Sequence, residues 1–309
     1  MSKLKIKNSI WFVLAEGIKI YFSNIDKFFM YMLFPVFGQI IGISLAFGLS
    51  LGFADTITAK AASIGSALLF VILLALPGLL IFVKAFWDFM VAYVALNSMT
   101  EGALNTGKVY DFQSHNEVAT RRTFQYVLLL LSIGILSSIG SSIFFIIPAF
   151  VLWIYFILVY QVFTFEPDLE IPEYFKRSFQ LIKGNWLRTF LLMAILGFFS
   201  IYIITEGISV VLDYLNLTDK ICTLFNFITN TIPLDFTNKV LTHLKQPIIT
   251  PEMISRTILF SILSFIVTGM TLPIRSICWT LWYANLLEQN NQSQTKRVRK
   301  SKREKLEEE

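Results

Sequence analysis

Six apolar runs, near Phe28–Phe53, Ser66–Val91, Phe124–Gly140, Ile143–Phe165, Leu187–Leu212 and Ile258–Leu281, constrain what this chain can fold into. A helix that crosses the hydrocarbon of a bilayer needs about 20 mainly apolar residues, and these runs have that length. The predicted fold class is all-α: a polytopic membrane helix bundle of six transmembrane helices in three hairpins, with interfacial amphipathic helices. Composition agrees, since only 15% of residues are charged against ~25% in ordinary soluble domains. The third and fourth runs are separated only by Gly140–Ser142, which predicts a tight hairpin. The second and sixth are overlong, and their helices are expected to continue to about Ser98 and Gln289.

Charge sets the orientation. With both ends inside, the cytoplasmic segments carry Lys3, Lys5, Lys7, Lys19, Lys27, Lys108, Arg121, Arg122, Lys176, Arg177, Lys183, Arg188 and the basic tail. The outer loops carry Lys60, Lys220, Lys239, Lys245 and Arg256. The positive-inside rule therefore predicts that both termini are cytoplasmic. No cleaved signal is expected, because the first apolar run is broken by Glu16 and Lys19 and lacks a small-residue cleavage site.

Three segments follow. Residues 1–27 read as an N-terminal interfacial helix, with Ile10, Trp11, Leu14, Ile18, Tyr21 and Phe22 on its apolar face. Residues 28–290 form the six-span domain. Residues 291–309 are a charged cytoplasmic tail, with disorder expected beyond Leu287. Inside the domain, 172–183 predicts a second interfacial helix. Tyr174, Phe175, Ser178, Phe179, Ile182 and Trp186 share one face, and Lys176, Arg177, Gln180 and Lys183 the other. Pro172 and Glu173 suit its first turn, and Gly184 its left-handed end. An outer amphipathic segment, 213–254, is expected to hold two short surface helices, one presenting Ile221, Leu224, Phe225 and Ile228, the other Phe236, Val240, Leu241 and Leu244.

A repeat runs beneath the spans. Each even-numbered one carries a proline, Pro77, Pro148 or Pro273. Each odd-numbered one opens on a basic residue and a Phe nearby: Lys27-Phe28, Arg122-Thr123-Phe124, Arg188-Thr189-Phe190. "FSNIDKFF" lies over "KGNWLRTF" with Asn24 on Asn185. Three hairpins result, two of them preceded by a surface helix.

The stretch "IIPAFVLWIYFILVYQVFTFE" followed by "YFKRSFQLIKGNWLRTFLLMAIL" resembles the membrane-domain family of glycerophosphoryl diester phosphodiesterases and its uncharacterised bacterial multi-pass relatives. The resemblance rests on Ile147, Pro148, Ala149, Glu166, Arg177, Ser178, Leu181 and Gly184. The closing "LPIRSICWTLWYANL" is similar to that family's last span, with Asn285 where an acidic residue is usual. It implies a bacterial cytoplasmic (inner) membrane protein. It does not imply phosphodiesterase activity, because the catalytic barrel found in some relatives is absent.

Catalytic chemistry finds little footing. There is no Cys-x-x-Cys, His-Glu-x-x-His or phosphate-loop pattern. His115 and His243 fall on opposite sides, and Cys222 and Cys278 are not spaced as a motif, so neither a shared site nor a disulfide is expected. Gly48-Leu49-Ser50-Leu51-Gly52 spells a nucleophile elbow but lies within an apolar span. Gly38-x-x-x-Gly42 and Gly48-x-x-x-Gly52 instead predict close helix approach. No enzyme activity, cofactor or metal is expected.

The candidate lipid-headgroup contacts are Lys84, Arg275, Arg177 and Lys183. Lys84 can pair with Asp88 at i, i+4, and Lys84 and Arg275 both fall toward the cytoplasmic leaflet among aromatics. Two readings stay open for them: side chains reaching to the interface in an aromatic belt, or a pocket for an anionic headgroup. The function expected is non-catalytic engagement of membrane lipid, anionic in kind, or of an envelope protein. The alternative is a transporter of a small molecule or lipid, which repeated hairpins and proline-bearing spans would suit. No nucleic-acid partner is expected, since the basic tail accompanies no folded basic domain.

Overall fold

The computed structural model describes residues 9–107, 109, 112–140, 146–230 and 234–307. Among these no strand forms, and the helices run in order. They are α1 (Ile10–Ser23), α2 (Ile25–Gly52), α3 (Ala54–Lys60), α4 (Ile64–Thr106), α5 (Phe112–Thr120), α6 (Thr123–Gly140), α7 (Ile146–Phe156) and α8 (Val159–Phe165). Then come α9 (Ile171–Ile182), α10 (Trp186–Gly197), a π-helical turn (Phe198–Ile203) and α11 (Ile204–Tyr214). The short α12 (Leu217–Cys222), α13 (Asn226–Thr229) and α14 (Asp235–His243) precede α15 (Pro251–Met270) and α16 (Leu272–Glu307).

Six of the described stretches are long and apolar enough to cross a membrane: Ile25–Gly52, Ile64–Thr106, Thr123–Gly140, Ile147–Phe165, Trp186–Tyr214 and Pro251–Gln292. The protein is an integral, multi-pass, all-α membrane protein. The expected turn after Gly140 falls on residues 141–145, outside the described residues, as do Lys3, Lys5 and Lys7. The chain divides into two compact units, Met1–Ala194 with Leu272–Glu309, and Ile195–Thr271.

In the first unit, α2 and α4 meet backbone to backbone. A Cβ on Gly42 would stand 2.5 Å from the amide nitrogen of Phe82, and one on Gly38 would stand 2.8 Å from the Ala85 methyl. Small residues permit this approach, which gains van der Waals contact that lipid cannot supply. Of the two predicted glycine pairs only Gly38/Gly42 serves it. Gly48 and Gly52 have nothing within 4 Å; the real continuation is Ala46, opposite Gly78. Pro77 stays within an unbroken α4, whereas Pro273 begins α16 after a break at Thr271.

Each odd-numbered span is entered through the same hinge. At Asn24, Arg122 and Asn185 the N–H donates to the carbonyl three residues back, on Tyr21 (3.1 Å), Ala119 (3.2 Å) and Ile182 (2.8 Å). The carbonyl of each hinge residue accepts the amide four residues on, from Phe28 (3.1 Å), Tyr126 (2.9 Å) and Thr189 (2.9 Å). Those three side chains are fully buried. The alignment of Asn24 with Asn185 holds. The middle repeat is shifted by three residues from the basic–Phe reading, because Arg122, not Ala119, occupies the hinge. There are also three surface helices rather than two: α5 precedes the third span as α1 and α9 precede the first and fifth.

The face of α1 that packs is not the whole predicted one. Val13, Gly17, Ile20 and Tyr21 are buried, and Gly17 sits so close to Cys278 of α16 that a Cβ would stand 2.5 Å from its sulfur. Trp11, Ile18 and Phe22 stay exposed as the lipid-facing side. Helix α9 lies where the sequence places it and buries Tyr174, Ser178, Leu181 and Ile182. Phe175 rests edge-on against Phe156, with centroids 5.1 Å apart, and the Phe179 ring lies tilted by 30° over Tyr155 at 4.4 Å. Single cysteines labelled with a water-soluble maleimide should therefore react well at Lys176, Gln180 and Lys183 and poorly at Tyr174, Ser178 and Leu181. Uniform labelling would mean that the segment is not a docked helix.

The even-numbered spans of this unit share a dry polar cluster. Asn97 of α4 accepts hydrogen bonds at Oδ1 from Gln161 (3.1 Å), Ser276 (2.7 Å) and Thr280 (3.2 Å), and its Nδ2 donates to Thr164 (3.2 Å). Asn97 and Thr280 are completely buried. Satisfied in this way, an amide fixes register between α4, α8 and α16 where apolar contacts alone would allow sliding. Helix α16 does not stop near Leu287 but continues to Glu307. Lys, Arg and Glu are good helix formers, so a charged tail can prolong a helix already nucleated by the span.

In the second unit α15 packs against the π-helical turn, α11, α12 and α13. Thr271 donates through its hydroxyl to the carbonyl of Ser200, within the π-helical turn, at 3.2 Å. Arg256 pairs with Asp219 at 2.8 Å, and Cys222 and Thr229 are buried beneath α12 and α13. The outer segment is thus broken into more pieces than the two helices expected. Asn238 clamps the strap after α14 by bonding both the carbonyl (2.9 Å) and the N–H (2.8 Å) of Ile249. Pro233 lies outside the described residues, as do the side chains of Ile228, Phe236 and Val240.

Candidate functional site

Two helical stripes face each other midway along α4. Lys84, Trp87, Asp88 and Val91 recur at i, i+3, i+4 and i+7 on α4, and Gln113, Asn116, Glu117 and Thr120 do so on α5. With Arg121 they line an open cleft of about 490 Å³, a volume within the ~300–1,000 Å³ usual for small-ligand sites.

Local sequence builds both walls. Ser63 and Ser66 form a capping box at the start of α4, and Gly107 ends it in the left-handed conformation at φ +71°. The short α5 buries His115 and Ala119, four residues apart, and the His115 ring nitrogen Nδ1 lies 3.0 Å from the Ser98 hydroxyl. Docking that face on α4 leaves the polar stripe of α5 turned to the cleft. Tyr31 of α2 fixes it further: its hydroxyl donates to Asn116 Oδ1 at 2.6 Å, and its ring meets Phe112 edge-on at 5.2 Å. Trp87 packs edge-on against Tyr126 at 6.4 Å, and the Tyr126 hydroxyl donates to the Met90 carbonyl.

The charges in the cleft come as two i, i+4 pairs, Lys84 with Asp88 within α4 and Glu117 of α5 with Arg121 just past its end. The cationic ends are largely exposed, with side-chain accessibility of 63% for Lys84 and 77% for Arg121. Such pairs are worth only ~0.3–0.5 kcal/mol on an exposed helix, so a ligand can exchange either partner at small cost. Beside Lys84 the α4 surface is apolar and open, with Val83 and Phe86 60% and 44% exposed.

The other predicted contacts lie elsewhere. Arg275 is within electrostatic range of Tyr93, which stacks on Tyr160 at 5.0 Å. Tyr93 is nine residues beyond Lys84, about half a turn round α4 at ~100° per residue, so Lys84 and Arg275 face different neighbours. Arg177 turns inward: its Nε donates to both carboxylate oxygens of Glu166, at 3.0 and 2.9 Å, and the Tyr283 hydroxyl donates to the same carboxylate at 2.8 Å. Lys183 caps α9 and is exposed. None of Arg275, Arg177 and Lys183 lines the cleft. Sequence reasoning missed Arg121, Asn116 and Gln113 as site residues, because α5 went unread. The signal was there in Phe112, His115 and Ala119 at i, i+3, i+7.

A second polar focus surrounds Arg122, whose guanidinium donates to the carbonyls of Phe163 (2.7 Å) and Pro167 (3.3 Å) and lies 4.1 Å above the Phe163 ring. Burial raises the Tyr174 phenol above its ordinary range even though Arg122 acts to lower it, so Tyr174 meets Arg122 as a neutral hydroxyl. Three of the five N–H donors of Arg122 are thus used within the protein, and the α4–α5 cleft is the more open binding surface.

Comparison with protein-family models, with curated proteins and with solved structures gives no match to this chain. The residues that carry the resemblance noted in the sequence nevertheless have physical roles. Glu166 and Arg177 pair, Ser178 donates to the Tyr155 carbonyl at 2.7 Å, Leu181 is 3% exposed and Gly184 takes φ +89°. Ala149 opposes Gly140 so closely that a Cβ there would stand 2.5 Å from its methyl.

Proposed function

We propose that this membrane protein is non-catalytic and engages phospholipid at the cytoplasmic face of a bacterial inner membrane, holding a headgroup in the α4–α5 cleft. The observation that carries this reading is the cleft itself. It joins two exposed cations, an indole and two amide side chains to an apolar helix surface along which acyl chains can run. Cationic side chains beside an aromatic at the end of a span suit phosphate recognition at the interface. The charge asymmetry along the chain supports a cytoplasmic placement of this face and of both termini. Transport gains less support, because the polar groups of the even-numbered spans bond one another in a packed interior. The likeness to the phosphodiesterase-associated membrane domains fits this reading.

Native mass spectrometry of the purified protein tests it. Lys84→Gln combined with Arg121→Gln should cut co-purified phospholipid at least threefold while helix content and thermal midpoint stay within error of the parent. Unchanged retention in a folded double variant would remove the cleft from consideration.

A further inference from the structure

We infer that the cleft selects a zwitterionic headgroup, a phosphate diester carrying a primary ammonium, over a purely anionic one; this rests on the lipid reading above. Among the described residues the cleft wall is charge-balanced, with Lys84 and Arg121 against Asp88 and Glu117. Lys84 holds Asp88 four residues on along α4, and Arg121, just past the end of α5, holds Glu117 four residues back, so the two pairs come from opposite walls. An anionic headgroup entering between them would satisfy the cations but strand two carboxylates beside its own charge. Like charges brought together in a partly dehydrated cleft repel, and the cost rises as water leaves. A headgroup with both signs answers all four groups: phosphate oxygens accept from Lys84 and Arg121, and the ammonium donates to Asp88 and Glu117.

A primary ammonium fits better than a quaternary one. It carries three N–H donors that match carboxylate acceptors, whereas a quaternary group has none and is recognised by a cage of aromatic faces. Among the described residues Trp87 is the only aromatic in the cleft lining. The same headgroup chemistry could arrive as a soluble phosphoethanolamine ester. The exposed Val83 and Phe86 beside Lys84 favour the membrane lipid, because a soluble ester has no acyl chain to lay there.

Full-length protein is equilibrated in nanodiscs holding equimolar ethanolamine, choline and glycerol phospholipids with identical acyl chains, and retained lipid is counted by native mass spectrometry. The ethanolamine lipid should be retained at least fivefold over each of the others. Asp88→Asn combined with Glu117→Gln should reverse the order in favour of the anionic glycerol lipid, with thermal midpoint measured alongside to show that the variant is folded. Soluble glycerophosphoethanolamine, the same diester without acyl chains, should not displace the lipid at the same concentration; displacement would overturn the membrane source. No headgroup preference in the parent, or a preference the carboxamide variant leaves unchanged, overturns the inference. If total retention still depends on Lys84 and Arg121 in that event, the lipid reading survives without it.

Discussion

Gly42→Leu should lower the thermal midpoint by on the order of 10 °C and release α4 from α2, while Gly48→Leu should leave the midpoint almost unmoved. At Gly42 the atoms a side chain would meet are backbone, the Phe82 amide nitrogen at 2.5 Å and the Gly78 carbonyl oxygen at 2.8 Å. Backbone cannot rotate away as a side-chain tip can, so the helices must part along the whole seam. Overpacking costs ~1–3 kcal/mol in cores that can adjust, and the upper end applies where neither wall yields. At ~2–4 °C per kcal/mol for a domain of this size, the shift is large. Gly48 has open space on every side, and a better helix former there can recover up to ~1 kcal/mol of helix propensity. Circular dichroism melts in one detergent decide the matter; equal losses at the two sites would mean that the seam does not lie where Gly38, Gly42 and Gly78 place it.

That contrast also marks how far the sequence carries. The two glycine pairs look alike in one dimension, since spacing reports which residues share a helix face but not whether a partner stands opposite. The six spans were legible because twenty apolar residues in a row leave few alternatives. Helix α9 was legible because its charged and aromatic positions alternate at helical spacing between two spans. Helix α5 was not, being nine residues long and nearly as polar as a loop; its order comes from tertiary contacts with Ser98 and Tyr31. The cleft depends on α5 and was hidden with it. The hinge repeat was half legible: Asn24 and Asn185 share a residue type, but Arg122 does the same backbone job with an unrelated side chain, and hydrogen bonds of the main chain leave no sequence signature. The ends of α16 and α1 show the opposite error, in which charge or apolarity was assigned to solvent or lipid although the backbone continued, or the helix packed against protein.

Arg177→Met should loosen α9, whereas Lys183→Gln should not. In the sequence both residues read as contacts to lipid phosphate. The structure separates them. Arg177 closes a bridge from α9 to the end of α8, and through Tyr283 to α16, on a Glu166 carboxylate that is only 24% exposed. Removing one member of a fully buried pair costs ~3–5 kcal/mol because the other is left uncompensated. With about a quarter of each side chain in water that figure falls to roughly 1–2 kcal/mol. The effect should be local, raising proteolysis of the α8–α9 connection several-fold more than it lowers the thermal midpoint, since Leu181 and Ile182 still anchor the helix. Arg177→Lys should rescue little: both contacts come from Nε of a planar guanidinium, a geometry that a flexible ammonium does not reproduce. Glu166→Gln should match Arg177→Met, and the double variant should be no worse than either single one, which is the non-additivity expected of residues acting on each other. Additive losses, or sensitivity at Lys183 equal to that at Arg177, would return Arg177 to the lipid surface and break the bridge between α8, α9 and α16.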